Sequence, residues 1–484
     1  MGKKAFFTFE DFKVASSLFC CVYGVGTLGL PGNFSRAGPF IATIAMIFMA
    51  AANVYSSVLI TKVMLLAPRT VKTYGDIGEF AAGKVGRYIV VASQMFYCLS
   101  IPIWYFVLGG TLLDSLFPGA FSQSTWIVLM AISVTPLCLV PTLKESAGAA
   151  FAGCLATIAA DCIGVGVLLH GMSGHGSVPT PDISFKQVAT TFGNLSLAYG
   201  AGIVIPALQR QHSDPTRMPR VVFVTISFIS CLFITLASSG YSAVGCQISG
   251  NLLFSIFPDS VTGLSKLGFH SDKGLAVLAY LGMQMHITIA FSVFTSPAFY
   301  LMERMFLGMH KRKPEDIEAN NYVSVETPAE GGEMKSRLSK QSFVSMADAE
   351  RESITVEEER LEYRGGNVIK YIVLRLAVIV ILVIIGIALR DNFGDLQDFI
   401  GASAVTLCCI ILPIMFYLKL TWKTTPLYEK VFGILVVIVC AVLGCYVTYN
   451  SGKNLFDEEK TDPSILFPFC HPEHEREIYY IKST

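Results

Sequence analysis

Apolar runs of about twenty residues, separated by short polar or Gly- and Pro-bearing stretches, recur along almost the whole chain. They predict membrane-spanning helices near 12–34, 40–66, 86–113, 125–141, 147–170, 191–209, 219–245, 275–302, 368–389, 396–418 and 428–449, eleven in all. Two of these runs interrupt themselves. The first continues from Val14 to Val22 in membrane-helix style and then meets Tyr23-Gly24-Val25-Gly26-Thr27-Leu28-Gly29-Leu30-Pro31. The sixth, from Phe192 to Pro206, carries Tyr199-Gly200-Ala201-Gly202 in an otherwise apolar segment. Unwound backbone at membrane depth is tolerated only where it is buried in protein or lines a cavity, so two interrupted helices point to a solute site.

Spans one to five and six to ten share a plan, each group opening on an interrupted helix. Because five is odd, the two groups run in opposite orientations, which makes an inverted repeat with the eleventh span added outside it. The expected fold is therefore all-α and polytopic, with a 5+5 inverted repeat plus one helix. Lys and Arg gather before the first span (Lys3, Lys4, Lys13), between the second and third (Lys62, Arg69, Lys72, Lys84, Arg87), after the sixth (Arg210, Arg217, Arg220) and after the tenth (Lys419, Lys423, Lys430). The positive-inside rule then places residues 1–11 in the cytoplasm and the tail 450–484 outside, in a plasma membrane or an endomembrane.

Between the bundles 12–310 and 368–449, residues 311–367 are rich in Glu, Lys, Arg and Ser and cannot bury enough apolar area to fold compactly. They read as a disordered cytoplasmic loop, a tether that can accept phosphate near Arg337-Leu338-Ser339 and Arg351-Glu352-Ser353. The whole chain, 484 residues at 53% hydrophobic and 15% charged with a mean hydropathy of +0.56, is too apolar for a soluble protein. Lys plus Arg and Asp plus Glu balance at 36 each, so no basic surface invites nucleic acid. Most of the thirteen cysteines, Cys20, Cys21, Cys98, Cys154, Cys162, Cys408 and Cys409 among them, lie in apolar spans as small hydrophobes. No CxxC or Cys/His spacing indicates a metal or redox site, no cofactor is expected, and the absence of HExxH and GxSxG speaks against an enzyme.

The chemistry expected at the interruptions follows from helix ends. A segment that resumes offers free N–H groups and a positive dipole end, and a segment that stops offers free carbonyls, so a small molecule bearing both a carboxylate and an ammonium fits both. In span one the expected donors are Gly26, Thr27 and Leu28, with Gly24 allowing close approach, and the expected acceptors lie around Cys21 and Val22. In span six Leu197, Ala198, Tyr199 and Gly200 face them, and Tyr97, Trp104 and Tyr105 of span three are candidates for an aromatic wall. The competing explanation of the glycines is close packing of small residues. For ion coupling, Asp161 stands mid-span on a face of small residues. A buried carboxyl can be held neutral and so exchange a proton, with a structural hydrogen bond as the alternative. Span eight carries a hydroxyl stripe, Gln284, Thr288, Ser292 and Thr295 or Ser296, that can offer oxygens to sodium or merely bond back to its own helix. His286 lies off that stripe as a packed residue, and Arg375 is expected to snorkel from span nine.

These stretches resemble the amino acid/auxin permease family, within the amino acid–polyamine–organocation group with its LeuT-type fold. The resemblance rests on Gly24 to Pro31 with Ala37-Gly38-Pro39, Tyr74-Gly75-Asp76-Ile77-Gly78-Glu79, Pro206-Ala207-Leu208-Gln209 with Pro215 and Pro219, Gly240 to Gly245, and Pro297 with Glu303. It covers nearly the whole chain outside 311–367 and the tails. It implies eleven helices, an amino acid site between helices one and six, and symport with protons or sodium, H+ being favoured here. The sixth interruption departs from one common form, carrying Ala201-Gly202 where a histidine follows the glycines. An auxin-like aromatic carboxylate carrier and an amino acid sensor signalling through 311–367 are the rival functions.

Overall fold

The computed structural model describes residues 6–68, 71, 73–140, 147–174, 178–200, 202–309, 363–456 and 464–479. The expected loop 311–367 lies outside them as far as residue 362, Ser339 and Ser353 included. Among the described residues the chain is helical, with only two isolated bridge pairs, Pro181 with Cys470 and Leu264 with His270. The helices are α1 Phe9–Val22, α2 Leu30–Leu66, α3 Tyr74–Leu116, α4 Gln123–Leu139, α5 Ala147–Gly171, α6 Phe185–Ala198, α7 Ile205–Gln211, α8 Met218–Val244, α9 Leu252–Ile256, α10 Lys273–Met302, α11 Asn367–Ala388, α12 Phe393–Ile400, α13 Leu412–Thr421 and α14 Leu427–Asn454. A wide π-type segment, Gly401–Ile411, joins α12 to α13. Eight stretches among the described residues are long and apolar enough to cross a membrane, and Gln123–Leu139 is apolar but shorter.

Local chemistry sets the helix starts. Thr8 with Asp11, Thr73 with Asp76 and Ser184 with Gln187 form reciprocal capping boxes ahead of α1, α3 and α6, each filling two otherwise unbonded amides. Within α2 the backbone turns at Gly38, whose φ of 72° precedes Pro39, so this one element contains the boundary expected between the first two spans. Within α3 a similar break at Ala82 and Gly83 separates a first stub from the expected span. Helix α2 packs along α8, α10 along α5 and α3, and α6 against the π-type segment. That last approach needs glycine on both sides, because a Cβ on Gly401 would meet the Gly193 carbonyl oxygen at 1.8 Å and one on Gly193 would meet the Asp398 backbone at 2.4 Å. The outward faces of α11 and α14 expose Val373, Val380, Ile384, Val431, Leu435 and Ile438, as contact with lipid tails requires.

Three buried ion pairs tie the bundle ends. Asp11 accepts from Arg217 Nε at 2.9 Å and lies 2.9 Å from His212 Nε2, with Glu10 bonded to Ser213 beside it. The hydrogen bonds from Arg217 hold the Asp11 carboxyl well below the usual carboxylate range. Arg36 pairs with Asp398 at 2.6 Å under the Phe469 ring. Arg375 does not snorkel, contrary to expectation. It is 5% exposed and donates to Glu303 Oε1 at 2.7 Å and to the Cys138 and Val140 carbonyls, with the Phe299, Tyr363 and Tyr371 rings around it. The partners sit where the α4 and α10 ends converge, so the guanidinium finds acceptors inside and has no need to reach for the interface. A disulfide joins Cys246 to Cys470, straps the segment 464–479 across the α8 end, and lets Gln247 bond the His474 and Glu477 carbonyls.

Candidate functional site

Helix α1 stops at Val22, where Tyr23 donates its amide to the Phe19 carbonyl and turns extended, and Gly24 follows with φ −148° and ψ −152°. A 3₁₀ helix, Val25–Gly29, then leads into α2. Its first bond runs from the Thr27 amide to the Gly24 carbonyl at 3.0 Å, so the amides of Val25 and Gly26 precede the bonded ladder and have no intrahelical partner. Opposite, α6 stops at Ala198, Tyr199 leaves helical geometry, and the chain resumes as α7 with Pro206 in its first turn. The two interruptions touch. A Cβ on Gly26 would come within 2.8 Å of the Ala198 Cα, and one on Gly24 within 2.9 Å of His286 Nε2.

A cavity opens between these ends, α3 and α10. Of the expected substrate residues, Cys21, Val22, Gly24, Gly26, Tyr97, Leu197, Ala198 and Gly200 line it. Thr27, Leu28 and Tyr199 are not among its lining residues. The Thr27 amide and hydroxyl both donate to the Gly24 carbonyl, the latter at 2.9 Å, which removes Thr27 from the free donors and leaves Val25 in its place. The Tyr199 hydroxyl is bonded to Ser230 at 2.9 Å. Tyr97 is fully buried and donates its hydroxyl to the Gly200 carbonyl at 2.9 Å, tying α3 to the α6 interruption.

Asp161 is brought to the first interruption from behind. It is 2% exposed, lies 3.1 Å from the Thr27 hydroxyl, whose one proton it shares with the Gly24 carbonyl, and has the Tyr23 hydroxyl beside it. Both groups acting on the carboxyl are neutral hydroxyls, not cations. The hydroxyl stripe of α10 lies elsewhere. Thr288, Ser292, Thr295 and Ser296 donate to the Gln284, Ile289, Phe291 and Ser292 carbonyls of their own helix, and none lines the cavity. The cavity-facing stripe is instead His286, Ile289, Ala290, Val293, Phe294 and Pro297, a run at helical spacing that the polar pattern concealed. His286 is the residue sequence reasoning undervalued: it is 5% exposed, faces the cavity, and hydrogen-bonds the Gly153 backbone.

The family model described as transmembrane amino acid transporter protein matches residues 12–451. Among curated relatives, amino acid transporter ANT1 of Arabidopsis thaliana is 20% identical over 456 residues, covering 90% of each chain. Amino acid transporter AVT1I of the same plant is 24% identical over 255 residues, covering 51% of this chain and 62% of its own. Vacuolar amino acid transporter 7 of Saccharomyces cerevisiae is 24% identical over 269 residues, 51% of this chain and 52% of its own. These last two matches thus span less than two thirds of those relatives' length. Among solved structures, MhsT in complex with L-phenylalanine superposes with a TM-score of 0.52 at 11% identity, covering 91% of this chain and 98% of that one, a likeness of fold.

Proposed function

The chain belongs to the transmembrane amino acid transporter family, and on that premise we propose that it carries an amino acid across its membrane by ion-coupled alternating access, with a proton as the coupling ion. The observation that carries this reading is the pair of helix ends facing one cavity. Unbonded amides at Val25 and Gly26 suit the ligand carboxylate, and the terminal carbonyls of α1 at Cys21 and Val22, with those of Leu197 and Ala198, suit its ammonium. A proton on Asp161 alters the bond to Thr27 and so favours one arrangement of the first interruption over the other. Sodium coupling through Ser292, Thr295 and Ser296 has less support, because none of the three lines the cavity.

Eleven crossings in a 5+5 inverted repeat plus one helix agree with the long-range contacts by parity. Asp11 and Arg217 are separated by six crossings and Arg36 and Asp398 by eight, while Cys246 and Cys470 are separated by four, so each pair falls on one side. A disulfide at the last pair suits an oxidising compartment, with the tail outside and the N-terminus in the cytoplasm. Reconstituted vesicles offered a panel of amino acids at two pH values, with and without sodium, should show uptake that rises when the outside is more acidic and ignores sodium. Binding without accumulation under any gradient would replace this reading with that of a sensor.

A further inference from the structure

The reading above fixes the ligand's carboxylate and ammonium but says nothing of its side chain, which must lie against the remaining walls, α3 and α10. Those walls hold no Asp, Glu, Lys or Arg among the residues lining the cavity. The ionisable groups lining the cavity besides His286 are the phenols of α3 and the Cys20 and Cys21 thiols of α1, and the Tyr97 phenol is already committed to Gly200. A charged side chain would enter with its hydration stripped and no counter-charge to meet it.

The walls are instead aromatic. Tyr97 and Phe294 have ring centroids 5.9 Å apart, Phe294 meets Tyr105 edge-on at 5.8 Å, and Tyr105 lies 5.7 Å from Trp104. Ile289 and Val293 add branched apolar surface from α10. Trp104 is fixed from behind by stacking on Phe393 at 5.5 Å, and it is 3% exposed. Its Nε1, buried, has no hydrogen-bond partner among the described residues. A buried donor left unbonded is costly, and a residue that lines a ligand cavity can have it satisfied by the ligand.

Resting on the transport reading, we propose that the cavity selects amino acids with large uncharged side chains, aromatic ones first, and that Trp104 is a specificity-determining residue offering its Nε1–H to an acceptor on that side chain. Glycine or alanine would leave the ring wall facing a void and forfeit its dispersion contacts. An aromatic ring fills the same space with offset or edge-on packing. Tyrosine alone among the aromatic amino acids also brings a hydroxyl oxygen to the indole.

The test is calorimetric binding of single amino acids to the purified full-length chain. Phenylalanine, tyrosine, tryptophan and leucine should bind at least about tenfold more tightly than glycine, glutamate or lysine. Equal binding of glutamate, lysine or glycine overturns the selectivity while leaving the transport reading intact. Binding of no amino acid removes the transport reading and this inference together. Trp104→Phe keeps an aromatic ring and removes the N–H, so the tyrosine-to-phenylalanine affinity ratio should fall about tenfold. An unchanged ratio overturns the role of Trp104. If that variant does not fold, the panel on the unaltered protein still decides the selectivity.

Discussion

Replacing Gly26 by leucine is expected to lower uptake at least about 100-fold while the protein still reaches the membrane. A single Cβ there already comes within 2.8 Å of the Ala198 Cα, a backbone atom that cannot swing aside as a side-chain tip can. The α6 end has no room to retreat either, since Gly200 lies so close to the Tyr97 hydroxyl that a Cβ on it would stand 2.4 Å away. Leucine therefore pries the two interruptions apart where the ligand ends must be held, and a displacement of about 1 Å suffices for that loss. Close packing of small residues and ligand binding, posed as rivals by the sequence, meet in this one contact. Gly166→Ala is the matching control, with nothing within 4 Å of the added carbon, and should transport normally. Uptake normalised to membrane protein is the measurement. Normal transport by Gly26→Leu would remove the first interruption from the site.

Removing the Glu303 carboxylate should be the most damaging change to stability. Glu303 is fully buried, accepts from Arg375 at 2.7 Å and from the Tyr363 hydroxyl at 2.7 Å, and holds the end of α10 against α11. Glu303→Ala leaves the Arg375 guanidinium buried with carbonyls and rings but no counter-charge, a loss of about 3–5 kcal/mol. Against a typical total of about 5–15 kcal/mol, that should lower the thermal midpoint sharply and deplete the membrane of protein. Pairing Glu303→Leu with Arg375→Met, which removes both charges, should recover much of it. A Glu303→Ala protein with an unchanged midpoint would show that the cluster contributes little.

What the sequence made legible is what local patterns encode. Apolar periods placed most of the long helices within a few residues, although α3 and α6 begin well before the expected 86 and 191, and Gly24, Gly26, Gly200 and Pro206 marked the stretches where α1 and α6 end. The turn at Gly38 falls in the gap between the first two expected spans, 12–34 and 40–66. Partnerships between residues far apart in the chain leave no such trace. The Cys246–Cys470 bond spans 224 residues, and Arg375 reads as a snorkelling side chain until α4 and α10 supply its acceptors. His286 was hidden for a related reason. A polar stripe on α10 drew attention to hydroxyls that bond their own helix, while the face turned to the cavity is apolar apart from that histidine. Thr27 looked like a donor because the start of the 3₁₀ turn cannot be placed to one residue from sequence alone.

The coupling of a proton to the first interruption is tested most directly by accumulation in reconstituted vesicles under an imposed pH gradient, comparing the unaltered chain with Asp161→Asn. Asparagine keeps the size of the side chain and an oxygen for the Thr27 hydroxyl but cannot titrate. The unaltered protein should concentrate its amino acid when the outside is acidic, and Asp161→Asn should exchange internal for external substrate at a comparable rate without concentrating it. Undiminished pH-driven accumulation by Asp161→Asn would contradict the account and leave Asp161 as a structural partner of Thr27.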